Sequence, residues 1–328
     1  MYDVDPVVCR ETGIGGGEPC RKHEKNAEQH SDTGKPATGN ASDNTVAERI
    51  RANFHQLTRA ERQLANTMLE NYPVSGLGSI TALAETSDVS APTIVRLAKK
   101  LGFRGFPQLQ SQLRHEVEET ISNPITRHNR WSEGAPDAHL INRFAEAVMQ
   151  NLRQTLANLD PGEFDEACAM MGDLKHAVHV AGGRITGTLA EYLFRHLQMI
   201  RPGTTLVPST DSHWPHYVLD MHDGDTLVLY DVRRYENNSV KLAEIAAERG
   251  VNLILFTDQW VSPAARYAKY TFSCRIEAPS AWDSTAVMQV ITETMIARIQ
   301  ASSWKKAQLR TRELEALFDR TGLFRRFK

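Results

Sequence analysis

The feature that most constrains the fold is a change of pattern along the chain. After about residue 175, short runs of β-branched and aliphatic residues alternate with helical segments. The predicted strands are His176–Ala181, Thr204–Pro208, Thr226–Tyr230, Val251–Thr257 and Tyr270–Cys274. The helical segments between and after them include Thr188–Ile200, Ser239–Arg249 and Trp282–Gln300. Alternation of this kind predicts a doubly wound α/β domain, with a parallel sheet covered on both faces.

The chain before this change has no strand-like runs and predicts a compact all-α domain. Apolar residues recur at helical spacing at Val46, Ile50, Phe54 and Leu57. Thr58, with Glu61 three residues later, has the pattern of a capping box at the start of a second helix. Further helices are predicted at Ser79–Thr86, Ser90–Leu101 and Phe106–Ile121.

Domain organisation follows from these patterns, because 328 residues exceed one average domain of ~150. We predict a disordered tail (1–44), a helix-turn-helix domain (45–122), a linker (123–137), an α/β domain (138–301) and a C-terminal basic amphipathic helix (302–328). The tail is rich in Gly, Ser, Thr, Asn and charged residues and has too little apolar surface to fold. The last helix is expected to be a packing helix or a dimer arm.

Composition excludes several classes of protein. No stretch approaches the ~18 apolar residues of a membrane span, and no signal peptide is recognisable, so we expect a cytoplasmic protein with no membrane contact. The net charge of -2 does not favour nucleic acid as a whole, so any DNA-binding surface requires local clusters of Lys and Arg. The tail residues Cys9, Cys20, His23 and His30 match no common zinc spacing, and no metal is expected.

Residues 79–102 have the spacing of a helix-turn-helix motif. Ala84 is the small residue needed where two helices cross at a steep angle. Asp88 lies in the turn and tolerates the positive φ that the turn requires. Ser90 is placed to cap the second helix, in whose first turn Pro92 is acceptable. The residues that lock this helix onto the core are Val89, Ile94 and Leu97.

The N-terminal half of the second helix enters the major groove in this motif. The residues predicted to face outwards there are Ala91, Pro92, Thr93 and Arg96. Arg96 is the candidate for reading guanine, and no acidic residue occurs between Ser90 and Arg114. The predicted contacts to double-stranded DNA are Ser90, Ala91, Pro92, Thr93, Arg96, Lys99, Lys100 and Arg104. A trihelical bundle with a basic face, or a protein-binding winged module, would show similar apolar spacing and is the alternative.

The run Arg96–Phe106, with Val89 and Ser90 before it, resembles the N-terminal domain of bacterial regulators of the RpiR/MurR type. The resemblance covers residues 46 to about 120. It implies a C-terminal sugar isomerase (SIS) domain, the doubly wound module that binds phosphosugars in this family, and residues 138–300 resemble such a domain.

A glycine-rich loop follows the first predicted strand. Residues 182–187 read Gly-Gly-Arg-Ile-Thr-Gly and lead into a helix, an arrangement that can hold an anion on backbone N–H groups. Arg184 lies where the dinucleotide fingerprint needs its second glycine, so NAD is not expected, nor is any other cofactor. The resemblance implies that this loop is the first phosphosugar loop, with Thr186 as its hydroxyl residue. Its candidate ligand-binding residues are Gly182, Gly183, Arg184 and Thr186.

The segment after the third predicted strand departs from the family pattern. The resemblance to SIS domains implies a Ser-x-Ser-Gly-x-Thr loop at this place. Residues 231–239 instead read Asp-Val-Arg-Arg-Tyr-Glu-Asn-Asn-Ser. Arg233 and Arg234 replace the hydroxyls, and guanidinium groups can grip phosphate or carboxylate in a bidentate manner. The predicted effector is therefore a small anionic metabolite, either a phosphosugar or a carboxylate. The alternative is that both arginines form ion pairs on a solvated or interface surface.

Other polar and aromatic residues are weaker candidates for this site. Ser209 and Thr210 follow the second strand, at the same predicted edge of the sheet. Trp260 and Trp282 either line a pocket or pack in the core.

These features favour a regulator over an enzyme. A phosphosugar isomerase needs a placed general base, and Glu191, His196 and His213 have no recognisable catalytic spacing. We therefore expect no catalytic residues, and predict a DNA-binding transcriptional regulator that acts as a homodimer or homotetramer, since pairing supplies a second half-site. Alternatives are a phosphosugar isomerase or carbohydrate-derivative-binding enzyme, and a regulator whose α/β domain only dimerises.

Overall fold

The computed structural model describes residues 44–127, 139–208, 213–302 and 304–324. The predicted tail up to residue 43, including Cys9, Cys20, His23 and His30, lies outside the described residues, as does most of the predicted linker. The described residues belong to one compact unit.

The N-terminal part is all-α, as predicted. Its helices are α1 (Val46–Asn53), α2 (Arg59–Glu70), α3 (Ile80–Thr86), α4 (Ala91–Lys100) and α5 (Phe106–Ile121), with 3₁₀ turns at Phe54–Gln56 and Val74–Gly76. Capping boxes start α1 and α2, and the one formed by Thr58 and Glu61 confirms the sequence prediction. The fully buried core of these helices includes Val46, Ile50, Leu64, Ile94, Leu97, Leu109 and Leu113.

The C-terminal part alternates helices and strands. Its helices are α6 (Leu140–Asn158), α7 (Pro161–Gly172), α8 (Gly187–Ile200), α9 (Trp214–Leu219), α10 (Asn237–Glu248), α11 (Ala286–Ser302) and α12 (Trp304–Thr321), with a 3₁₀ turn at Pro263–Tyr267. Its strands are β1 (Val178–Gly182), β2 (Thr204–Leu206), β3 (Thr226–Tyr230), β4 (Asn252–Asp258) and β5 (Ala268–Cys274). All five predicted strands are present within a few residues of their expected bounds. The sequence patterns did not predict α9.

The five strands form one parallel sheet in the order β2-β1-β3-β4-β5. The chain leaves β1 towards β2 and returns to β3 on the other side of β1. The loops after β1 and β3 therefore diverge from neighbouring strand ends, where Gly182 pairs with Tyr230. This is the switch point at which doubly wound sheets form a ligand crevice.

Both faces of the sheet are covered, which confirms the predicted α/β architecture. One face buries Val180, Tyr230 and Phe256 against residues of α7, α8 and α11. The other face buries Leu229 and Leu255 against residues of α9 and α10. Strands with two buried faces read as continuous apolar runs, as these do.

The C-terminal helix α12 packs on α8, where Arg310 Nε donates to the carbonyl oxygen of Gln198 at 2.9 Å. This contact agrees with the expectation of a packing helix. Within the described ranges, no helix combines the length and hydropathy needed to cross a bilayer.

Candidate DNA-binding face and effector pocket

The helix-turn-helix forms as the residue types require. Ser79 caps α3, because its Oγ accepts from Ala82 N at 3.1 Å. Asp88 has a φ of 49° in the turn between α3 and α4, which confirms the predicted left-handed residue. Ile94 and Leu97 are fully buried and fix α4 on the helical core.

The N-terminal half of α4 differs in two details from the prediction. Thr93 is buried rather than facing outwards, and its Oγ1 lies 3.0 Å from Ser90 Oγ. Ser90 occupies the N-cap position, but its hydroxyl bonds that of Thr93 instead of a backbone N–H. Arg96 is exposed and donates from Nη2 to Thr93 Oγ1 at 2.9 Å. The buried Thr93 therefore helps to position Arg96, the candidate for reading guanine.

The basic residues around α4 fall into two groups. Lys99 and Arg104 are exposed and have no ion-pair partner among the described residues. Lys100, in contrast, forms a 2.6 Å salt bridge with the buried Glu61, the capping-box residue of α2. Burial favours protonation of Glu61, but hydrogen bonds from Lys100 and Thr58 outweigh it and lower the pKa of that carboxyl. The salt bridge of Lys100 thus connects α4 to α2.

A cavity of about 220 Å³ lies at the switch point of the sheet. Its lining brings together residues of the two predicted loops, 183–186 after β1 and 231–236 after β3. Trp282 and Asp283 complete one wall. Gly182 permits the tight turn into the first loop, since an added Cβ would lie 2.7 Å from the Thr186 backbone. The volume suits a small metabolite, being below the usual range for drug-sized ligands.

Most hydrogen-bond donors of the first loop bond other groups of the protein. Gly183 N donates to Thr186 Oγ1 at 2.9 Å, and Thr186 Oγ1 donates to the carbonyl oxygen of Tyr230 at 2.8 Å. Arg184 N donates to Glu236 Oε1 at 3.0 Å. Thr186 is buried, so its hydroxyl is a structural bridge between β3 and the loop rather than an open ligand contact.

The two arginines of the second loop have different surroundings. Arg233 is buried, with its guanidinium 4.1 Å above the ring of Trp260 and Nη1 donating to Ser122 Oγ at 3.0 Å. Asp283 Oδ2 lies 3.6 Å from its Nε. The ion-pair alternative therefore describes Arg233, whereas Arg234 is exposed at the pocket with a φ of 65°.

Of the four arginines that line the pocket, Arg127 and Arg233 pair with Asp283, whereas Arg184 and Arg234 lie at the rim. Both side chains are exposed, line the cavity and have no ion-pair partner in the described part of the chain. Trp282 lies beside them with 62% of its surface exposed. This rim supplies two guanidinium groups next to an aromatic surface, an arrangement suited to a small anion.

The pocket also contacts the segment that follows the helix-turn-helix domain. Pro124 and Arg127 line it, and Arg127 Nη1 forms a 2.5 Å salt bridge with Asp283. Sequence reasoning missed Arg127 and Glu236. No local motif marks either residue, because each gains its role only when distant segments meet.

A second charged contact joins the helical and α/β parts. Arg275, after β5, forms a 2.5 Å salt bridge with Glu48 in α1, and both side chains are buried. Thr45 Oγ1 donates to the carbonyl oxygen of Gln259 at 3.4 Å. Helix α1, the first helix of the helix-turn-helix domain, is therefore held at the carboxyl edge of the sheet.

Acid groups at this edge are strongly affected by burial. Burial raises the pKa of Asp231 to about 7, although Ser262 Oγ donates to its Oδ2 at 2.5 Å. Burial also raises the pKa of Asp258, which accepts from Tyr235 Oη at 2.7 Å and from the Arg233 backbone N–H.

The remaining candidates that the structure describes do not line the pocket. Ser209 and Thr210 lie outside the described residues. Glu191 pairs with Arg195, and His196 contacts the ring of Tyr192 in a tilted arrangement with ring centroids 4.6 Å apart. None of these residues lines the cavity. The described residues contain no cluster of His, Cys, Asp or Glu suited to a metal ion.

Comparison with known families matches the two halves separately. Residues 44–120 match the helix-turn-helix domain of the rpiR family, and residues 174–301 match the SIS domain. The solved sugar isomerase domain of the RpiR transcription factor from Sphaerobacter thermophilus has a TM-score of 0.51 and 24% identity, over 55% of this chain and 99% of that chain. The α/β part of the chain therefore has the fold of SIS domains.

Named relatives cover both halves of the chain. The HTH-type transcriptional regulator HexR of Pseudomonas aeruginosa is 26% identical over 222 residues, 67% of this chain and 75% of its own. HexR of Escherichia coli is 23% identical over 239 residues, 73% of this chain and 80% of its own. The chain is thus a transcriptional regulator of the RpiR type, with an N-terminal helix-turn-helix domain and a C-terminal SIS domain.

Proposed function

We propose that this regulator binds specific double-stranded DNA through the N-terminal half of α4 and that its α/β domain binds a small anionic metabolite. The observation that carries the first part is the face formed by Arg96, Lys99 and Arg104. All three side chains are exposed on or just after α4, and none has an acidic partner among the described residues. An uncompensated basic face beside a recognition helix is what phosphate and base contacts require.

Within this face, the residues have different tasks. Arg96 reads a guanine, because Thr93 holds its guanidinium near the start of the helix. Lys99 and Arg104 contact phosphates and fix the register on the duplex. A single recognition helix gives modest affinity, so the protein acts as a homodimer that reads two half-sites about one DNA turn apart.

The pocket is proposed as the effector site. Arg184 and Arg234 bind the anion at the rim, and Trp282 covers its apolar part. The bound metabolite alters the network of Asp283, Arg127 and Arg233, which connects the pocket wall to the end of the helix-turn-helix domain. A ligand that favours one arrangement of this network shifts the placement of the recognition helices.

We propose that the protein has no catalytic turnover. The carboxylates of the pocket are already engaged: Asp283 pairs with Arg127 and Arg233, Asp231 accepts from Ser262, and Glu236 accepts from the first loop. A general base for isomerisation must instead be free to accept a substrate proton.

Selection of duplexes from a random DNA pool tests the proposal. The full-length wild type is compared with Arg96→Ala and with Arg195→Ala, a matched control on the exposed surface of α8. We expect a palindromic site to be enriched by the wild type and the control and not by Arg96→Ala. No enrichment by the wild type, together with weak salt dependence, would refute DNA recognition by this face.

A further inference from the structure

Glu236 occupies the position at which an anion would approach the first loop. It lies at the N-cap of α10, directly after the second loop, and lines the pocket. Its Oε1 accepts from Arg184 N at 3.0 Å. A Cβ added to Gly183 would lie 2.9 Å from the same oxygen, so the carboxylate rests directly over the glycine of the loop.

Several of the donors around Gly183 are already bonded within the protein. Gly183 N bonds Thr186 Oγ1, that hydroxyl donates to Tyr230, and Gly187 N donates to the carbonyl oxygen of Gly183 at 2.7 Å. Glycine-rich loops before helices bind phosphate when their N–H groups point at the ligand and their glycines let it approach. Here the protein supplies its own carboxylate to the Arg184 N–H, and the Gly183 face is covered.

Electrostatics act in the same direction. A phosphate dianion placed on this loop would lie within a few ångströms of the Glu236 carboxylate, and like charges at that distance repel each other. The rim arginines Arg184 and Arg234 are exposed and line the same pocket. They remain able to bind a carboxylate group, which carries one charge and needs no loop cradle.

We propose that Glu236 is a specificity-determining residue: it acts as a built-in anion on the first loop and selects against ligands that carry a phosphate group. The effector class is then a small non-phosphorylated acid held at Arg184 and Arg234. This class assignment rests on the proposed effector pocket, whereas the exclusion of phosphate by Glu236 does not depend on DNA binding.

Titration of the full-length protein with inorganic phosphate and with glucose 6-phosphate tests this role, with calorimetry as the readout and tryptophan fluorescence, to which the pocket residue Trp282 contributes, as a second one. The wild type is compared with Glu236→Ala and Glu236→Gln. Glu248→Ala is the control, since Glu248 is exposed at the far end of α10. We expect phosphate to bind Glu236→Ala about tenfold or more tightly than it binds the wild type or the control.

Glu236→Gln separates the effect of the charge from that of the contact, because its amide oxygen can still accept from Arg184 N while the negative charge is lost. We expect a smaller gain in phosphate affinity for this variant than for Glu236→Ala. If Glu236→Ala does not fold, the phosphate affinity of Glu236→Gln tests the proposal. The proposal is overturned if folded variants bind phosphate no better than the wild type, or if Glu248→Ala gains as much. A gain in phosphate affinity without any effect on DNA would leave this role intact and refute only the link between pocket and DNA.

Discussion

Arg233 Nη1 donates to Ser122 Oγ at 3.0 Å, and this bond connects the loop after β3 to the residue that ends α5. The same guanidinium lies near Asp283, which pairs in turn with Arg127. The wall of the pocket and the end of the helix-turn-helix domain therefore share one buried polar network. Because a low-dielectric network is sensitive to any unpaired member, we expect changes at the pocket to affect the domain junction.

Substitutions of Arg233 and Ser122, the two partners of this bond, are predicted to lower the free energy of unfolding by different amounts. Arg233→Ala is expected to lower the free energy of unfolding by about 3 kcal/mol, since it removes the buried guanidinium that lies over Trp260 and donates to Ser122. Ser122→Ala removes one hydrogen bond and is expected to cost about 1 kcal/mol. Urea unfolding of both variants measures the difference. Equal, small losses would show that Arg233 does not hold the junction.

Lys100 is predicted to act on stability. Lys100→Ala removes the salt bridge to the buried Glu61 and should lower the free energy of unfolding by about 1 kcal/mol at pH 7. The folded-state pKa of Glu61 is lowered, so this contribution is present above the ordinary pKa of a glutamate and is lost as the pH falls through the lowered value. Thermal unfolding of Lys100→Ala and Lys99→Ala between pH 3 and 7 checks this, and a comparable loss for Lys99→Ala would contradict it.

Asp231 is predicted to make stability depend on pH in the opposite sense. Its pKa is raised to about 7 in the folded state, so the folded protein binds this proton more tightly than the unfolded chain does. Stability from this group therefore falls as the pH rises from about 4 to about 7. Asp231→Asn should be more stable than the wild type at pH 8, by about 1 kcal/mol or more, and lose that advantage near pH 4. A difference that is constant with pH would rule out this titration.

The turn of the helix-turn-helix offers a local test. Asp88 has a φ of 49°, a conformation that glycine adopts freely and alanine does not. Asp88→Ala is expected to cost about 1 kcal/mol, whereas Asp88→Gly should be close to neutral. Chemical unfolding of the pair decides, and a larger loss for the glycine variant would show that the side chain of Asp88 matters more than its backbone.

Much of the fold was predictable because it depends on local patterns. The capping box at Thr58, the positive φ of Asp88 and the apolar runs of the five strands follow from single residues or short periodicities. The two pocket loops were also predictable, because neighbouring parallel strands end at the same edge.

The use of each side chain in the site was not predictable in the same way. Arg233 and Arg234 are adjacent in sequence, yet one is buried on Trp260 and the other is exposed. Thr93 and Lys100 also have partners within the protein, Ser90 and Glu61. Such roles depend on contacts between residues that are distant in sequence. The spacing of residues along the chain does not reveal these contacts.

The central claim concerns α4 as the DNA-reading element, and competition binding tests it most directly. Fluorescence anisotropy gives the affinity of the wild type, Arg96→Ala and Lys99→Ala for the selected site and for a scrambled duplex, at two salt concentrations. We expect Arg96→Ala to lose about 1–3 kcal/mol of discrimination between the duplexes. Lys99→Ala should weaken both affinities alike and reduce the salt slope by about 1. If the two variants behave identically, or if neither changes binding, α4 is not the element that reads DNA.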